Sequence, residues 1–425
     1  MTMDEETFSN IHRHFRYSLL RINCLFVFLG LWCLTSPYTL GYTSQAVAIS
    51  DTCCGLSLIL LGLLLSCCRP LRCLGVFIGV WISLLATFLN TNPVVFANDT
   101  LLGFAILLAS VTPPSRPKEL DVGPTIPEGL RYNPSSYGRR LIILFLVMLS
   151  WIQSRHLTAS CLGFATAITP LDSIGKCSLE LFRIQGLLSV SFSLFGALIL
   201  SGREKRWHTR PQAVLASGFV LLCITVLTLL PVAFGGNSAW TCPLCTVMIL
   251  KQAFLIAFSF DEIKATCIYL AKLSPSKQGG IFRALFKGSE FYKKTFIWEE
   301  RSFVPSSKLL KESLKGISFP VNLIAVILIA FALAETSQVL GISTQIRNFL
   351  EVCARFIIIF SILAFSKSLR TLRLMNLAFG FGVSISPLLF GLSYGQVGFS
   401  IILLSGLAIM ALSLRKGRPE PEIKS

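Results

Sequence analysis

The sequence predicts an all-α polytopic membrane protein, with about twelve transmembrane helices in a 4+4+4 arrangement. Three observations carry that expectation. Hydrophobic residues make up 53% of the 425 and charged residues only 14%, and the mean hydropathy is +0.70, a balance outside the range of soluble domains. Apolar runs follow one another along the whole length, many of them close to the roughly 20 residues that cross a bilayer. The loops between them alternate between basic and uncharged, as the positive-inside rule requires. The formal net charge of +17 is scattered in short runs between apolar segments, which fits that rule better than a nucleic-acid surface.

The first block, residues 1–112, has candidate spans at Ile22 to Pro37, Ala46 to Cys68, Leu71 to Asn90 and Thr100 to Thr112. Met1 to Arg21 is polar and mixed in charge, so a cleavable signal peptide is not expected and the first helix is a retained span. Arg13, Arg16 and Arg21 share a side with Arg69 and Arg72, whereas residues 36–50 and 91–100 carry no Lys or Arg; the N-terminus is therefore expected in the cytoplasm. The block repeats itself. Ser36-Pro37-Tyr38-Thr39-Leu40-Gly41 precedes Asp51-Thr52-Cys53-Cys54-Gly55, and Asn92-Pro93 precedes Asp99-Thr100-Leu101-Leu102-Gly103. Asp51 and Asp99, each just before a Thr and an apolar run, are expected to cap the helix that follows rather than to bind an ion.

Residues 113–140 form a Pro-rich, charged cytoplasmic linker. The second block, 141–262, has spans at Leu141 to Gln153, Phe182 to Ser201, Ala213 to Phe234 and Cys242 to Phe260. Residues 263–318 interleave Lys and Arg with Phe282, Phe286, Phe291, Tyr292, Phe296 and Trp298, as expected of interfacial helices on an anionic lipid surface. The third block, 319–425, has spans at Val321 to Ala334, Phe349 to Phe365, Leu374 to Pro387 and Val397 to Leu414, with Ser386-Pro387-Leu388-Leu389-Phe390-Gly391 as a third copy of the repeat, and a basic tail that places the C-terminus in the cytoplasm. Of the 38 Lys and Arg, the side away from the cytoplasm holds only Arg155, Lys176, Arg183, Arg347 and Arg355, with Lys251 inside a span.

One compact motif carries chemistry: Trp240-Thr241-Cys242-Pro243-Leu244-Cys245-Thr246, leading into the eighth span. Two cysteines three apart at a helix start lie on one face within disulfide reach, and the helix N-terminus favours the thiolate. Pro243 suits the first turn, where its missing N–H costs nothing. The bland alternative is chance, since the chain has 14 cysteines and a membrane helix accepts Cys as a small apolar residue. Charge bias puts the pair on the extracytoplasmic side, where disulfides persist, together with Cys161 and Cys177. These two are a relay to the inner pair, a static loop disulfide or two unpaired thiols. Gln252, seven after Cys245 and about 10 Å deeper on the same face, is either a donor to a quinone carbonyl or one side of an interhelical hydrogen bond; Lys251 points the other way, to a neighbouring helix or a lipid phosphate. The other ten cysteines are expected to pack, with acylation the alternative for Cys67, Cys68 and Cys73 beside a basic cytoplasmic turn. The histidines His12, His14, His156 and His208 are not at ligand spacing to the C-x-x-C, so no metal site is expected.

Certain stretches carry a resemblance: Ala97 to Gly103, the linker's Pro127-Glu128-Gly129-Leu130-Arg131-Tyr132-Asn133-Pro134-Ser135-Ser136, Ser154-Arg155-His156-Leu157, and Cys242 to Cys245 followed by Phe258-Ser259-Phe260-Asp261-Glu262-Ile263. With them the chain resembles bacterial vitamin K epoxide reductase family proteins, in which a reductase-like four-helix bundle lies between SPW-type membrane repeats. Tyr38 stands here where that repeat has Trp. The resemblance implies a disulfide-forming thiol:quinone oxidoreductase in the bacterial cytoplasmic membrane. Cys242 and Cys245 would be the quinone-facing pair, Cys161 and Cys177 a loose match to the loop pair, and a thioredoxin-like protein would act in trans. The alternative is a noncatalytic scaffold or small-molecule transporter that retains the bundle.

Overall fold

A computed structural model describes residues 5–65, 71–89, 92–111, 130–162 apart from 133 and 135, 191, 243–271, 310–339 apart from 312, 342–392 and 397–415. Among these the structure is helical, with one isolated antiparallel bridge between Ile317 and Ser366. The helices are α1 (Glu5–Thr39), α2 (Gln45–Leu64), α3 (Arg72–Phe88), α4 (Pro93–Val111), α5 (Tyr137–Cys161), α6 (Pro243–Ala271), α7 (Val321–Val339), α8 (Thr344–Leu363), α9 (Met375–Leu389) and α10 (Val397–Leu414), with a 3-10 stretch at Lys367–Leu374 before α9. Among the described residues five stretches are long and apolar enough to cross a membrane: Leu20–Thr39, Gln45–Leu64, Pro93–Val111, Lys367–Leu389 and Val397–Leu414. Large apolar side chains face outward, Phe77 at 71% and Leu404 at 63% exposure among them. An apolar exterior of that kind suits lipid and not water.

The described helices fall into two compact units: α1 to α5 in one, α7 to α10 with most of α6 in the other. In the first, α1 to α4 form a ring in which each helix packs on two others. Its core joins Phe26, Leu29 and Cys33 of α1, Leu58 and Leu61 of α2, Ile82 of α3, and Leu102 and Ile106 of α4. α5 lies on α4, where the Phe104 and Trp151 rings sit 5.8 Å apart. In the second unit α7 to α10 form another ring, held by the stacked rings of Phe356, Phe360 and Phe379 and by the Asn376 amide donating to Ser361 Oγ at 2.9 Å.

The expected repeat has a packing basis. In three hairpins a glycine of one helix meets a glycine of the next. A Cβ on Gly30 would lie 2.8 Å from the Gly55 carbonyl oxygen, on Gly79 2.9 Å from that of Gly103, and on Gly380 3.1 Å from that of Gly406. Small residues let membrane helices approach to backbone contact. The Ser-Pro turns also correspond: Pro37 and Pro387 both lie in the last turn of their helices, and Gly41 and Gly391 follow with φ of 62° and 70°, the left-handed cap that glycine accepts without strain.

Two expectations change. Pro93 is not the counterpart of Pro37, because it opens α4 instead of closing α3. Asp51 and Asp99 are not caps: both lie in the second turn of a helix, 1% and 0% exposed. The cap of α4 is Asn92, whose Oδ1 accepts the Val95 N–H at 2.9 Å, followed by Pro93 at the first position. α4 begins at Pro93, ahead of the span expected from Thr100, so Asp99 is drawn inside, whereas α2 begins at Gln45, next to the expected Ala46, and Asp51 lies within that span itself.

Candidate functional site

The sequence places redox chemistry at the start of α6. This helix begins at Pro243, so Cys245 sits in its first turn and Cys242 immediately precedes it, just outside the described residues. α6 runs unbroken to Ala271, so the expected block boundary at residue 262 falls inside one helix. Gln252 is buried at 1% and Lys251 half-buried. At 1.5 Å per residue Gln252 lies about 10 Å along the axis from Cys245.

Below this point α6 is anchored. The Ser368 hydroxyl donates to Asp261 Oδ1 at 2.7 Å, Phe254 packs on Phe365 with ring centroids 6.1 Å apart, and Asp261 and Glu262 are both buried. Asp261, after the C-x-x-C, therefore helps to fix the helix in its unit. Cys161 is the last residue of α5, and Cys177 lies outside the described residues. The spans expected at Phe182 to Ser201, apart from residue 191, and Ala213 to Phe234, and residues 272–309 of the aromatic and basic segment, are also outside them. Cys33 and Cys353 are buried free thiols that pack. Among the described residues no three His, Cys, Asp or Glu side chains are grouped to hold a metal ion.

A second site went unread in the sequence. The Tyr42 hydroxyl, on the connection between α1 and α2, donates to Asp51 Oδ2 and lies 3.1 Å from Asp99 Oδ1. Burial first, and then the Asp51 hydrogen bond, push the Tyr42 phenol up from its ordinary range. The Asn98 amide donates to Asp99 Oδ1 at 3.0 Å, and Trp32 Nε1 donates to Asn98 Oδ1 at 3.0 Å. Across the bundle Trp81 Nε1 donates to Ser50 Oγ at 2.9 Å. The two halves are related by a pseudo-two-fold. Each Trp lies two residues after a crossing glycine, Gly30 or Gly79, and each reaches the residue preceding an Asp on the other hairpin.

On α5, Arg155 stands 3.8 Å over the Phe96 ring and donates to the Phe96 carbonyl oxygen at 3.2 Å. Asp51 Oδ1 and Asp99 Oδ2 are buried without a hydrogen-bond donor. The signal that could have found this site is the doubled D-T-x-x-G with G-x-W before it, together with the rule that an intramembrane acid is functional by default.

No family model, curated protein or solved structure matches the chain. The resemblance to the reductase family therefore stands on the residues quoted for it alone.

Proposed function

We propose that this protein is a membrane thiol:quinone oxidoreductase that couples extracytoplasmic dithiol/disulfide exchange to a lipid quinone, with Cys242 and Cys245 as the exchanging pair. The observation that supports the reading is the start of α6 at Pro243, which puts Cys245 in its first turn, with Cys242 next before Pro243 in the sequence. There the free N–H groups and the helix dipole favour the thiolate, the reactive form. Formation of the Cys242 to Cys245 disulfide releases two electrons and two protons, and a partner thiolate reopens it through a mixed disulfide, so each cycle oxidises one partner dithiol. A quinone, when bound, supplies the two-electron, two-proton acceptor. Gln252, buried in the same helix, is the donor to it. Cys161 and Cys177 relay electrons from a thioredoxin-like partner acting in trans.

The setting proposed is the bacterial cytoplasmic membrane, with about twelve spans as 4+4+4 and both termini cytoplasmic. A vitamin K epoxide reductase-like bundle then lies between SPW-like blocks. Thiol trapping in intact membranes tests the reading. Cys242 and Cys245 should turn from disulfide to dithiol when the quinone pool is reduced, and Cys245→Ser should abolish the interconversion. A pair that keeps one redox state whatever the pool does would falsify it. One observation favours a second reading, a noncatalytic scaffold or small-molecule transporter: the buried carboxylates of the first ring, which have no part in thiol chemistry.

A further inference from the structure

The pair Asp51 and Asp99 is built in a way that helix packing does not require. The third glycine crossing, between α9 and α10, has Ile402 where the first two have Asp51 and Asp99, Ile401 where they have Ser50 and Asn98, and Gly382 in place of the Trp. Ile402 is fully buried and the crossing still forms. The aspartate, its polar neighbour and the tryptophan are thus present or absent as a set.

Within the set, the two carboxyl groups share the Tyr42 hydroxyl. That hydroxyl has one proton to donate. The Asn98 amide supplies a second donor, to Asp99 Oδ1, which leaves Asp51 Oδ1 and Asp99 Oδ2 buried and orphaned. Among the described residues neither carboxylate has a basic side chain within ion-pair distance. Arg155 of α5 interacts with Asp99 from farther off while bonded to Phe96. The other titratable groups around the pair are Tyr42 itself, Cys33 of α1 and Cys54 of α2. Two adjacent buried carboxylates cannot both stay ionised without compensation. A single proton removes one of the two charges and satisfies one orphan oxygen.

We propose that Asp51 and Asp99 together bind one exchangeable proton, and that Tyr42 is its path to the surface. Tyr42 is half-buried while both carboxyls are fully buried, so the hydroxyl is the link between the pair and the outer connection. A proton suits the site better than a metal ion, because among the described residues no third His, Cys, Asp or Glu side chain is grouped with the pair. This inference is independent of the thiol chemistry.

Infrared spectroscopy of the full-length protein in nanodiscs tests it. The expected result is a carboxylic-acid C=O band at neutral pH with the intensity of one buried group per chain. It should downshift in D2O, titrate away at alkaline pH, and be absent from the Asp51→Asn/Asp99→Asn double variant. Tyr42→Phe should keep the band and slow its exchange with D2O; it also serves as the second variant should the double variant not fold. A wild-type spectrum without the band, a band unchanged in the double variant, or exchange unaltered by Tyr42→Phe overturns the proposal. So does loss of the band on adding sodium chloride at fixed pH, which would assign the site to a metal ion.

Discussion

Tyr42 shows how one side chain sets the chemistry of its surroundings. Its hydroxyl touches carboxyl groups from two hairpins, so ionising the phenol would bring a further negative charge into contact with them. The phenol is accordingly raised above its ordinary 10.0, by burial and by the Asp51 hydrogen bond. The sign follows from linkage: below pH 10 the tyrosine is protonated whether folded or unfolded, and above it only the unfolded chain loses the proton, so stability falls as pH rises. Unfolding midpoints measured from pH 8 upward should therefore drop beyond about pH 10 in wild type, and drop less in Tyr42→Phe. Equal alkaline slopes would show that Tyr42 ionises freely. Asn92 is the complementary case, an uncharged side chain that fixes where α4 starts through its bond to the Val95 N–H. By starting α4 there it carries Asp99 into the interior.

Among the helices, backbone contact at paired glycines is the common device. The Gly30 and Gly55 crossing brings α1 against α2 closely enough that a Cβ on Gly55 would lie 2.7 Å from the Leu34 backbone nitrogen. Backbone cannot swing aside as a flexible side chain can. Gly55→Ala should therefore force the helices apart and destabilise the protein by about 1–3 kcal/mol, read as a lowered unfolding midpoint in detergent or nanodiscs. An unchanged midpoint would mean that the crossing is not close. The same substitution at Gly382 should be mild, since a Cβ there would meet only the end of the Phe349 ring, at 3.5 Å. α6 uses a different device, a buried aspartate within the helix, Asp261, held by Ser368. Its first turn carries Cys245.

For the whole molecule, charge bias predicts that both termini face the cytoplasm. A fluorescent-protein fusion at either end should mature and fluoresce, whereas an alkaline phosphatase fusion there should be inactive; active phosphatase at either terminus would reverse the orientation assigned to Cys242 and Cys245. The sequence alone determined the membrane class and the approximate helices, because apolar runs register span by span whatever their neighbours. α10 has the bounds read from the sequence, and α7 starts where expected. The C-x-x-C was legible for the same local reason, as two residues and a proline within one turn. The destination of Asp51 and Asp99 was not. An aspartate before a threonine and an apolar run has the form of a helix cap, and only Asn92 and the glycine crossings, acting on the backbone, draw both into one buried cluster. Trp32 and Asn98 are 66 residues apart, and Tyr42 and Asp99 57. Contacts over such separations depend on which helix packs on which, and that was decided by the tertiary structure.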